Sequence, residues 1–375
     1  MIKVLNIISD TNVGGAGRVI INYLKYFDRR TFDVSVLLPK GSLLIDMIRE
    51  FDVPIYEIDA MADESFDFSA IKKLKTMIKE IDPDIVHTHG SMAGRIAAKG
   101  CGKITIFTRH SAFSINARYT KGIGKTVYKF INEHYSDRII AVSPVCRDDL
   151  VLGGISENRI DVILNGVEPL TALSTDEIAA AKASYGLQQD EFIAVIMARI
   201  EHYKGHRYIL EAAKMLKQQG RHIKVLIAGT GDYEDEVKSL AEELDVTDCV
   251  MFLGFVDDIR SLLCISDIQL NASYIEATSL SLLEGMSLGV PAVVSDYGGN
   301  PWVIEDGING LIFKTHDSFG LAECIAHLMD NPDVLQQMRE KAREIYLEKF
   351  TGQVFAHNVE KTYLKALEEN KSGKK

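Results

Sequence analysis

Short apolar runs alternate with longer amphipathic segments along most of the chain. In the first half, the runs predict strands at Ile2–Ile8, Phe32–Leu38, Ile55–Ile58, Ile85–His87, Ile104–Thr108 and Ile139–Val142. Segments with helical spacing lie between them, at Gly17–Phe27, Leu43–Phe51, Ser69–Ile81 and Gly124–Tyr135. Near-continuous apolar strands separated by helices are typical of a parallel sheet covered on both faces.

The alternation pauses and then starts again. Between Asn165 and Gln189 the sequence is polar and contains Asn165-Gly166-Val167 and Pro169, so we place a domain junction there. The second set of predicted strands is Phe192–Ala198, Ile223–Ala228, Val250–Leu253, Ile268–Ala272, Ala292–Ser295 and Leu311–Phe313. Two such sets predict two facing, doubly wound α/β domains with a ligand site in the cleft between them.

The end of the chain reads as two helices between Pro332 and Glu369, broken at Gly352, followed by a short polar end that we expect to fray. We expect the last helix to cross back to the first domain. The predicted division is therefore a first domain over 1–168, a second over 190–350, and a C-terminal helix over 351–375.

Composition and charge narrow the classes of function. The chain has 375 residues, of which 46% are hydrophobic and 25% charged, which suits two globular domains of about 150–200 residues. Its net charge of −11 argues against nucleic acid as a partner. A local cationic pocket can still bind a small anion within an acidic protein.

The cysteines and the apolar stretches indicate a cytoplasmic location. Five cysteines are spread along the chain without a Cys-x-x-Cys pair, so we predict ordinary thiols and no disulfide framework. The apolar N-terminal run is too short for a signal peptide, and no stretch reaches the roughly 18–20 apolar residues of a membrane span.

A glycine-rich loop, Asn12-Val13-Gly14-Gly15-Ala16-Gly17-Arg18, follows the first predicted strand and opens a helix. Glycines there let backbone amides approach an anion at a helix N-terminus. The spacing differs from the Gly-x-Gly-x-x-Gly of dinucleotide-binding folds. Asp33 lies near the start of the second strand, whereas a ribose-binding acid belongs at its end. A ligand-binding loop and a plain strand-to-helix turn both fit this sequence.

Two cations lie in the loop after the first strand of the second domain, which reads Ala198-Arg199-Ile200-Glu201-His202-Tyr203-Lys204-Gly205. Ligands of open α/β sheets collect at the carboxyl ends of the strands. Arg199 and Lys204 suit a diphosphate leaving group, whose negative charge grows as a sugar bond breaks. A solvated pair is the alternative, but a cation opposes the dipole at a helix N-terminus, which favours binding of a ligand.

Two glutamates occur in the segment Ser273-Tyr274-Ile275-Glu276-Ala277-Thr278-Ser279-Leu280-Ser281-Leu282-Leu283-Glu284. It joins a predicted strand to a helix that starts near Thr278 or Ser279. Amides at the helix start can bind phosphate. Glu284, roughly two turns along, can accept two hydrogen bonds from ribose hydroxyls. The alternative roles are a capping acid and a surface acid.

The first domain offers one candidate catalytic residue and no convincing metal site. His110, in Thr108-Arg109-His110-Ser111, follows a strand and would point toward the cleft, although a structural histidine fits equally well. Asp82-Pro83-Asp84 reads as a turn entering a strand. His87-Thr88-His89 lacks further ligands nearby in the sequence.

Together these motifs resemble the retaining glycosyltransferases of the GT-B fold that form glycosyltransferase family 4, also called the glycosyl transferases group 1 superfamily. The resemblance spans nearly the whole chain. Its most specific motif is the pair of glutamates with seven residues between them, Glu276 and Glu284, and Gly289-Val290-Pro291 also fits. It implies two facing Rossmann-like domains with a C-terminal helix that crosses back to the first.

The resemblance also implies a role for each matching residue. Glu276 would contact hydroxyls of the transferred sugar and Glu284 the donor ribose. Arg199 and Lys204 would hold the diphosphate, and His110 would lie beside the transferred sugar. The other predicted donor-binding residues are Gly15, Ala16, Phe255, Val256, Thr278, Ser279 and Leu280.

The implied reaction moves a sugar from a nucleotide-diphosphate sugar, most commonly a UDP-sugar, to a glycan or lipid-linked acceptor. It retains the anomeric configuration and uses neither a cofactor nor a metal ion, and its implied setting is polysaccharide or cell-envelope synthesis. One motif departs from the family: Gly298-Gly299-Asn300-Pro301-Trp302 has the only tryptophan of the chain where the family has glutamate.

A basic segment of the first domain predicts either a membrane contact or a solvated helix. Its basic residues are Arg118, Lys121, Lys125 and Lys129, and its apolar ones are Ile123, Val127 and Phe130. Such a helix can lie on the anionic inner surface of a membrane, or its apolar face can be buried within the protein.

Three other functions compete with a transferase. A sugar-nucleotide epimerase would share the architecture but need no acceptor. A non-catalytic binding or scaffold protein would keep the fold, although the intact Arg199, Lys204, Glu276 and Glu284 argue against it. A dinucleotide-dependent dehydrogenase fits the glycine loop poorly.

Overall fold

The computed structural model describes residues 1–9, 11, 14–59 and 68–373. It contains two compact units: Met1–Val167 with Gly352–Lys375, and Glu168–Thr351. Each unit is built on its own parallel sheet. No helix in the described ranges combines the length and the apolar character needed to cross a bilayer.

The first unit is built on a sheet of seven strands in the order β3-β2-β1-β4-β5-β6-β7. Their bounds are β1 (Ile2–Ile8), β2 (Phe32–Pro39), β3 (Ile55–Ile58), β4 (Ile85–His89), β5 (Ile104–Arg109), β6 (Arg138–Ala141) and β7 (Ile160–Val162). All neighbouring strands run parallel. The order reverses between β1 and β4, which creates the kind of crevice where such sheets bind ligands.

Helices connect these strands, and one of them comes from the end of the chain. They are α1 (Gly15–Tyr26), α2 (Leu44–Ile48), α3 (Phe68–Ile81), α4 (Met92–Gly100), α5 (Gly122–His134), α6 (Pro144–Leu152) and α15 (Gly352–Gly373). On α15, the Tyr363 hydroxyl lies 2.7 Å from Nδ1 of His87 at the centre of the sheet. The helix begins at Gly352, where a Cβ would lie 2.2 Å from the ring of Tyr26 on α1, so glycine permits this close approach.

The second unit has a sheet of six parallel strands in the order β10-β9-β8-β11-β12-β13. Its strands are β8 (Phe192–Met197), β9 (Ile223–Ala228), β10 (Val250–Gly254), β11 (Ile268–Asn271), β12 (Ala292–Ser295) and β13 (Gly310–Phe313). Its helices are α7 (Thr175–Ser184), α8 (His206–Gln218), α9 (Glu234–Glu243), α10 (Ile259–Ile265), α11 (Leu280–Ser287), α12 (Asn300–Val303), α13 (Ser318–Asp330) and α14 (Pro332–Lys349).

Both faces of this second sheet are buried, as its apolar strands predict. Along β8, Ala194 and Ile196 belong to one apolar cluster, whereas Ile193 and Val195 belong to another. Successive side chains of a strand point to opposite faces, so the two clusters are the two cores on either side of the sheet. The parallel sheets and the return of α15 confirm the predicted doubly wound α/β class.

The structure corrects several predicted elements. The short strand β7 and the helices α4, α6 and α7 were not predicted, and α7 occupies part of the polar stretch that we assigned to the junction. None of its residues is fully buried, and Ile178 and Ala181 are the residues of this helix that pack against an apolar core, so its apolar periodicity in sequence is weak. A capping box between Ser174 and Glu177 also stabilises it. The break between the last two helices falls before Gly352, which is the first residue of α15.

Candidate active site

Most predicted site residues lie where the strand order of a sheet reverses. The reversals lie between β1 and β4 in the first unit and between β8 and β11 in the second. The loop after β8 carries Arg199 and Lys204, and the loop after β11 carries Glu276. Because ligands of doubly wound sheets bind outside the carboxyl ends of the strands at such points, each unit presents one candidate site.

In the second unit, the structure brings a predicted cation and a predicted carboxylate into contact. Lys204 Nζ lies 2.7 Å from Glu276 Oε2, and the side chains of Lys204 and Glu276 are only 16% and 11% exposed. At this burial the pair is poorly screened by water. An anion that approached Lys204, or a hydrogen-bond donor that approached Glu276, would therefore interact strongly with its partner in this pair.

Neighbouring polar side chains hold the same oxygen of Glu276. Ser273 Oγ and Asn271 Nδ2 lie 3.3 and 3.4 Å from Oε2. Asn271 Oδ1 accepts from the Ser273 backbone at 3.1 Å, so the residues that orient the carboxylate also orient one another. The donor groups of Lys204, Ser273 and Asn271 all lie near Oε2. They therefore fix the orientation of the Glu276 carboxylate and turn Oε1 away from themselves.

Arg199 lies in the same loop but has a different set of partners. Its Nη2 donates to the Tyr203 hydroxyl at 2.8 Å, and its Nη1 lies 3.5 Å from Glu201. The side chain is 70% exposed, whereas that of Lys204 is largely covered. Exposed ion pairs of this kind are weak, so Arg199 can exchange them for a phosphate at low cost.

Glycines allow the loops of the candidate site in the second unit to approach one another. A Cβ on Gly205, which has a φ of +74°, would lie 2.2 Å from the carbonyl oxygen of Ala272. A Cβ on Gly299 would lie 1.3 Å from the carbonyl oxygen of Ala277. No side chain fits at either position, so these glycines let the loops after β8 and β12 pack directly on the loop after β11.

The second predicted glutamate lies just over one turn into its helix, rather than two. Helix α11 begins at Leu280 with Ser279 as its N-cap, slightly later than predicted, so Glu284 is its fifth residue. The Ser279 side chain caps no backbone N–H and instead lies 3.0 Å from the Ser281 hydroxyl. Thr278, immediately before the cap, is buried.

Two of the predicted donor-binding residues, Phe255 and Val256, follow β10 at the edge of this sheet. Phe255 is 72% exposed, whereas Val256 packs against one of the two apolar cores. The loop leaves the sheet at Gly254, whose carbonyl accepts from the Gly229 N–H at 2.7 Å. An exposed aromatic ring next to a fixed backbone is suited to contact with a flat base.

In the first unit, the glycine loop and His110 line one cavity of about 910 Å³. Helix α1 begins at Gly15, Gly14 is its N-cap without a side-chain cap, and Ala16 faces the cavity. Asn12 and Val13 of the predicted loop lie outside the described residues. The remainder of the lining is Ser9, Thr11, His89, Gly90, Phe107, Thr108, Arg109, Ser111, Phe113, Ile115, Asn116, Tyr119 and Tyr128.

His110 is part of a buried chain of hydrogen bonds that the sequence analysis missed. His110 Nε2 lies 2.9 Å from His89 Nδ1, and His89 Nε2 lies 3.2 Å from Asn6 Oδ1. The ring nitrogens thus form a continuous chain from Asn6 to His110, in which the donor and acceptor roles depend on the tautomers of the two rings. Burial lowers the pKa of His110 to about 4 and that of His89 well below its usual value, so both imidazoles are neutral at pH 7.

Two segments whose residue types suit metal ligands, Asp82-Pro83-Asp84 and His87-Thr88-His89, make other contacts. Asp84 Oδ2 accepts from the Lys3 backbone at 2.9 Å, and Asp82 has a φ of 48° and is paired with Lys103. His87 bonds Tyr363 and Thr108 through its two ring nitrogens. Within the described part of the chain, no three His, Cys, Asp or Glu side chains are grouped as metal ligands.

The chain matches two family models. The model for "Glycosyl transferases group 1" matches residues 177–345, and that for "Glycosyltransferase Family 4" matches residues 13–169. The chain is also similar to the putative glycosyltransferase EpsD of Bacillus subtilis (strain 168), with 27% identity over 339 residues and 87% of each chain covered.

The chain is similar to two further proteins, one by sequence and one by structure. The UDP-Gal:alpha-D-GlcNAc-diphosphoundecaprenol alpha-1,3-galactosyltransferase of Escherichia coli is 24% identical over 351 residues, with 88% of each chain covered. The crystal structure of Anabaena Alr3699/HepE in complex with UDP has a TM-score of 0.84 at 19% identity, covering 97% of this chain and 100% of that one. The second similarity shows the fold.

Proposed function

The chain belongs to the glycosyl transferases group 1 and glycosyltransferase family 4, and on that premise we propose that it transfers a sugar from a UDP-sugar, with retention of configuration, to a glycan or lipid-linked acceptor. The observation that carries the proposal is the contact of 2.7 Å between Lys204 Nζ and Glu276 Oε2 at the reversal point of the second sheet. In the proposed complex the lysine would stabilise the leaving diphosphate, and the neighbouring carboxylate would bind the sugar.

The proposed reaction is a displacement on one face of the sugar. The bond between the anomeric carbon and the diphosphate oxygen breaks as the acceptor oxygen bonds to the same carbon, and the acceptor's proton passes to the departing phosphate. Lys204 and Arg199 stabilise the negative charge that grows on the diphosphate. Amides at the start of α11 approach its phosphate oxygens, and Glu284 accepts from the ribose hydroxyls.

His110 and Ala16 would act from the first unit. In the proposed complex His110 lies beside the transferred sugar, and its neutral ring is held by the contact of 2.9 Å between its Nε2 and His89 Nδ1. A neutral imidazole can orient the sugar without placing a positive charge next to an anomeric carbon that itself becomes positive. Gly15 and Ala16, at the start of α1, would approach the donor through the backbone.

The donor nucleotide is tested by thermal unfolding. We expect UDP and a UDP-sugar to raise the melting temperature, because a ligand at 100 times its Kd stabilises the folded state by about 2.7 kcal/mol. GDP tests whether the protein distinguishes guanine from uracil, and NAD tests whether it binds a dinucleotide rather than a nucleoside diphosphate. A shift with NAD and none with either nucleoside diphosphate would replace the transferase proposal by a dehydrogenase.

We further propose that α5 rests on an anionic membrane surface, where it would present a lipid-linked acceptor to the cavity. Contrary to the alternative in which its apolar face is buried, Ile123, Val127 and Phe130 are 83%, 46% and 63% exposed. Among the described residues of α5, only Asn132 is buried. It accepts from the buried Arg95 at 2.9 Å, which anchors the helix from beneath.

The charges near α5 favour anionic lipid as the surface that covers it. Arg118, Lys121 and Lys129 are exposed, in a protein whose net charge is −11. Each basic residue near an anionic membrane contributes about 1 kcal/mol. The cavity lining includes Tyr119 and Tyr128, which lie next to and on this helix, so a lipid-linked acceptor at the membrane would lie close to His110.

Flotation with vesicles tests this contact. We expect the protein to float with phosphatidylglycerol-containing vesicles at low salt and to lose this binding when Ile123, Val127 and Phe130 are all replaced by serine. The control replaces Leu152 and Leu364, which are 52% and 42% exposed, and should still float. If the unaltered protein stays at the bottom of the gradient at low salt, α5 does not bind membranes.

A further inference from the structure

The tyrosine two residues before Glu276 joins the loop after β11 to the loop after β8. The loop after β8 contains a short 3-10 turn, His202–Lys204, which ends at the lysine of the candidate site. The hydroxyl of Tyr274 is hydrogen-bonded to Nδ1 of His202, the first residue of that turn. These two loops therefore share a second side-chain contact besides that of Lys204 with Glu276.

A backbone hydrogen bond lies between the two side-chain contacts. The Tyr274 N–H donates to the carbonyl oxygen of Tyr203 at 3.0 Å. The segment 274–276 thus holds all three residues of the turn: His202 through its ring, Tyr203 through its carbonyl group and Lys204 through its ammonium group. The position of Lys204 therefore depends on the contacts made by the two residues before it.

The ring of Tyr274 has contacts of its own, separate from those of the hydroxyl. It meets the rings of His202 and His316 edge to face, with centroids 5.8 and 4.8 Å apart. His316 follows β13, so it approaches Tyr274 from a third loop. These ring contacts should persist when only the hydroxyl is removed. Phenylalanine at position 274 therefore tests the hydrogen bond by itself.

We propose that Tyr274 and His202 are positioning residues that hold Lys204 where the leaving diphosphate gains its charge. This inference rests on the proposed function and adds to it two residues that act through the lysine. A lysine side chain carries a compact charge on a flexible stem, and a cation stabilises a transition state fully only when it is held in place beforehand. His202 is exposed and Tyr274 is half-buried, so their hydrogen bond is not part of an apolar core.

Binding of UDP measures how well Lys204 is held, because UDP carries the full charge of the departed leaving group. We expect Tyr274→Phe to weaken UDP about 3- to 10-fold in calorimetry, the loss that follows removal of one hydrogen bond. Tyr233→Phe is the matched control. The Tyr233 ring also meets that of His202 edge to face, with centroids 5.2 Å apart, and removal of its hydroxyl should leave the Kd of UDP unchanged.

Two further sets of variants separate positioning from general support of the site. In the Lys204→Ala background, Tyr274→Phe should not weaken UDP further, because the hydroxyl acts through that lysine. His202→Asn, whose amide can hydrogen-bond to the Tyr274 hydroxyl from a similar place, should bind UDP nearly as the unaltered protein does. His202→Leu has no polar group there and should lose as much affinity as Tyr274→Phe.

The outcomes distinguish a failure of this positioning from a failure of the proposed function. An unchanged Kd of UDP in Tyr274→Phe, or an equal further loss in the Lys204→Ala background, would overturn the inference. So would equal UDP binding by His202→Leu and His202→Asn, a comparison that holds even where Lys204→Ala binds UDP too weakly to measure. Failure of the unaltered protein to bind UDP would refute the proposed function itself.

Discussion

Replacement of Lys204 by alanine is expected to lower turnover by about two to three powers of ten, the loss that follows removal of one donor that stabilises transition-state charge. The diphosphate carries more negative charge as the sugar bond breaks, so the missing cation should reduce kcat more than it raises KM. Steady-state rates at saturating donor, with the UDP Kd measured separately, check this expectation.

The contact between Lys204 and Glu276 makes the prediction more specific. Since the two groups lie 2.7 Å apart, the effects of Lys204→Ala and Glu276→Gln should not add in the double variant. Lys238→Ala is the matched control, because it removes an ion pair with Glu234 on α9, outside the loops of the site. Turnover of Lys204→Ala within twofold of the unaltered enzyme would remove this lysine from the mechanism.

The contacts in the second unit could be predicted in part because its motifs are local in sequence. Arg199 and Lys204 share one loop, and Glu276 and Glu284 share one loop and helix, so strand periodicity alone places them at the carboxyl edge of the sheet. What periodicity cannot show is which strands are neighbours. The ion pair between Lys204 and Glu276 depends on β8 lying next to β11, although β9 and β10 intervene in the sequence.

The same limitation explains why the sequence analysis missed the partners of His110. In the sequence His89 was weighed only as a metal ligand, and that role was rejected because no further ligand lay near it. The parallel register pairs His89 of β4 with Thr108 of β5, which brings the residue two positions later, His110, within 2.9 Å of His89. Asn6 joins through β1, whose register opposes it to His87. Three strands, distant in the chain, build one hydrogen-bonded cluster.

The sequence also could not show whether the apolar side chains of α5 are exposed. The spacing of Ile123, Val127 and Phe130 fits a buried apolar face and a membrane-facing one equally well, and only the fold shows that all three side chains are exposed. The helix α7 was missed for a different reason: only Ile178 and Ala181 of its residues pack against an apolar core, which is too few for its periodicity to reveal a helix whose start is held by a capping box.

The return of α15 to the first unit depends on a buried arginine, and Arg138→Ala is expected to lower the free energy of unfolding of that unit by about 3–5 kcal/mol, as loss of one partner of a buried pair does. Arg138 is 1% exposed. It donates to Asp161 on β7 through Nε and Nη2, at 2.6 and 2.8 Å, and to Glu369 on α15 through Nη1 at 2.9 Å. Without it, the Asp161 carboxylate loses its bidentate partner.

The contacts of Arg138 with Asp161 and with Glu369 should contribute unequally to the free energy of unfolding, because the two carboxylates differ in exposure. Asp161 is 21% exposed and Glu369 is 52% exposed, so Glu369→Ala should cost at most about 1 kcal/mol. Hydrogen exchange of α15 and denaturant unfolding measure the effects of Arg138→Ala and Glu369→Ala. The control is Arg221→Ala, which removes an exposed pair with Asp330 in the second unit. Because Tyr363 joins α15 to His87, loosening of this helix should also disturb the histidine cluster. A cost below 1 kcal/mol for Arg138→Ala would mean that apolar packing alone holds the helix in place.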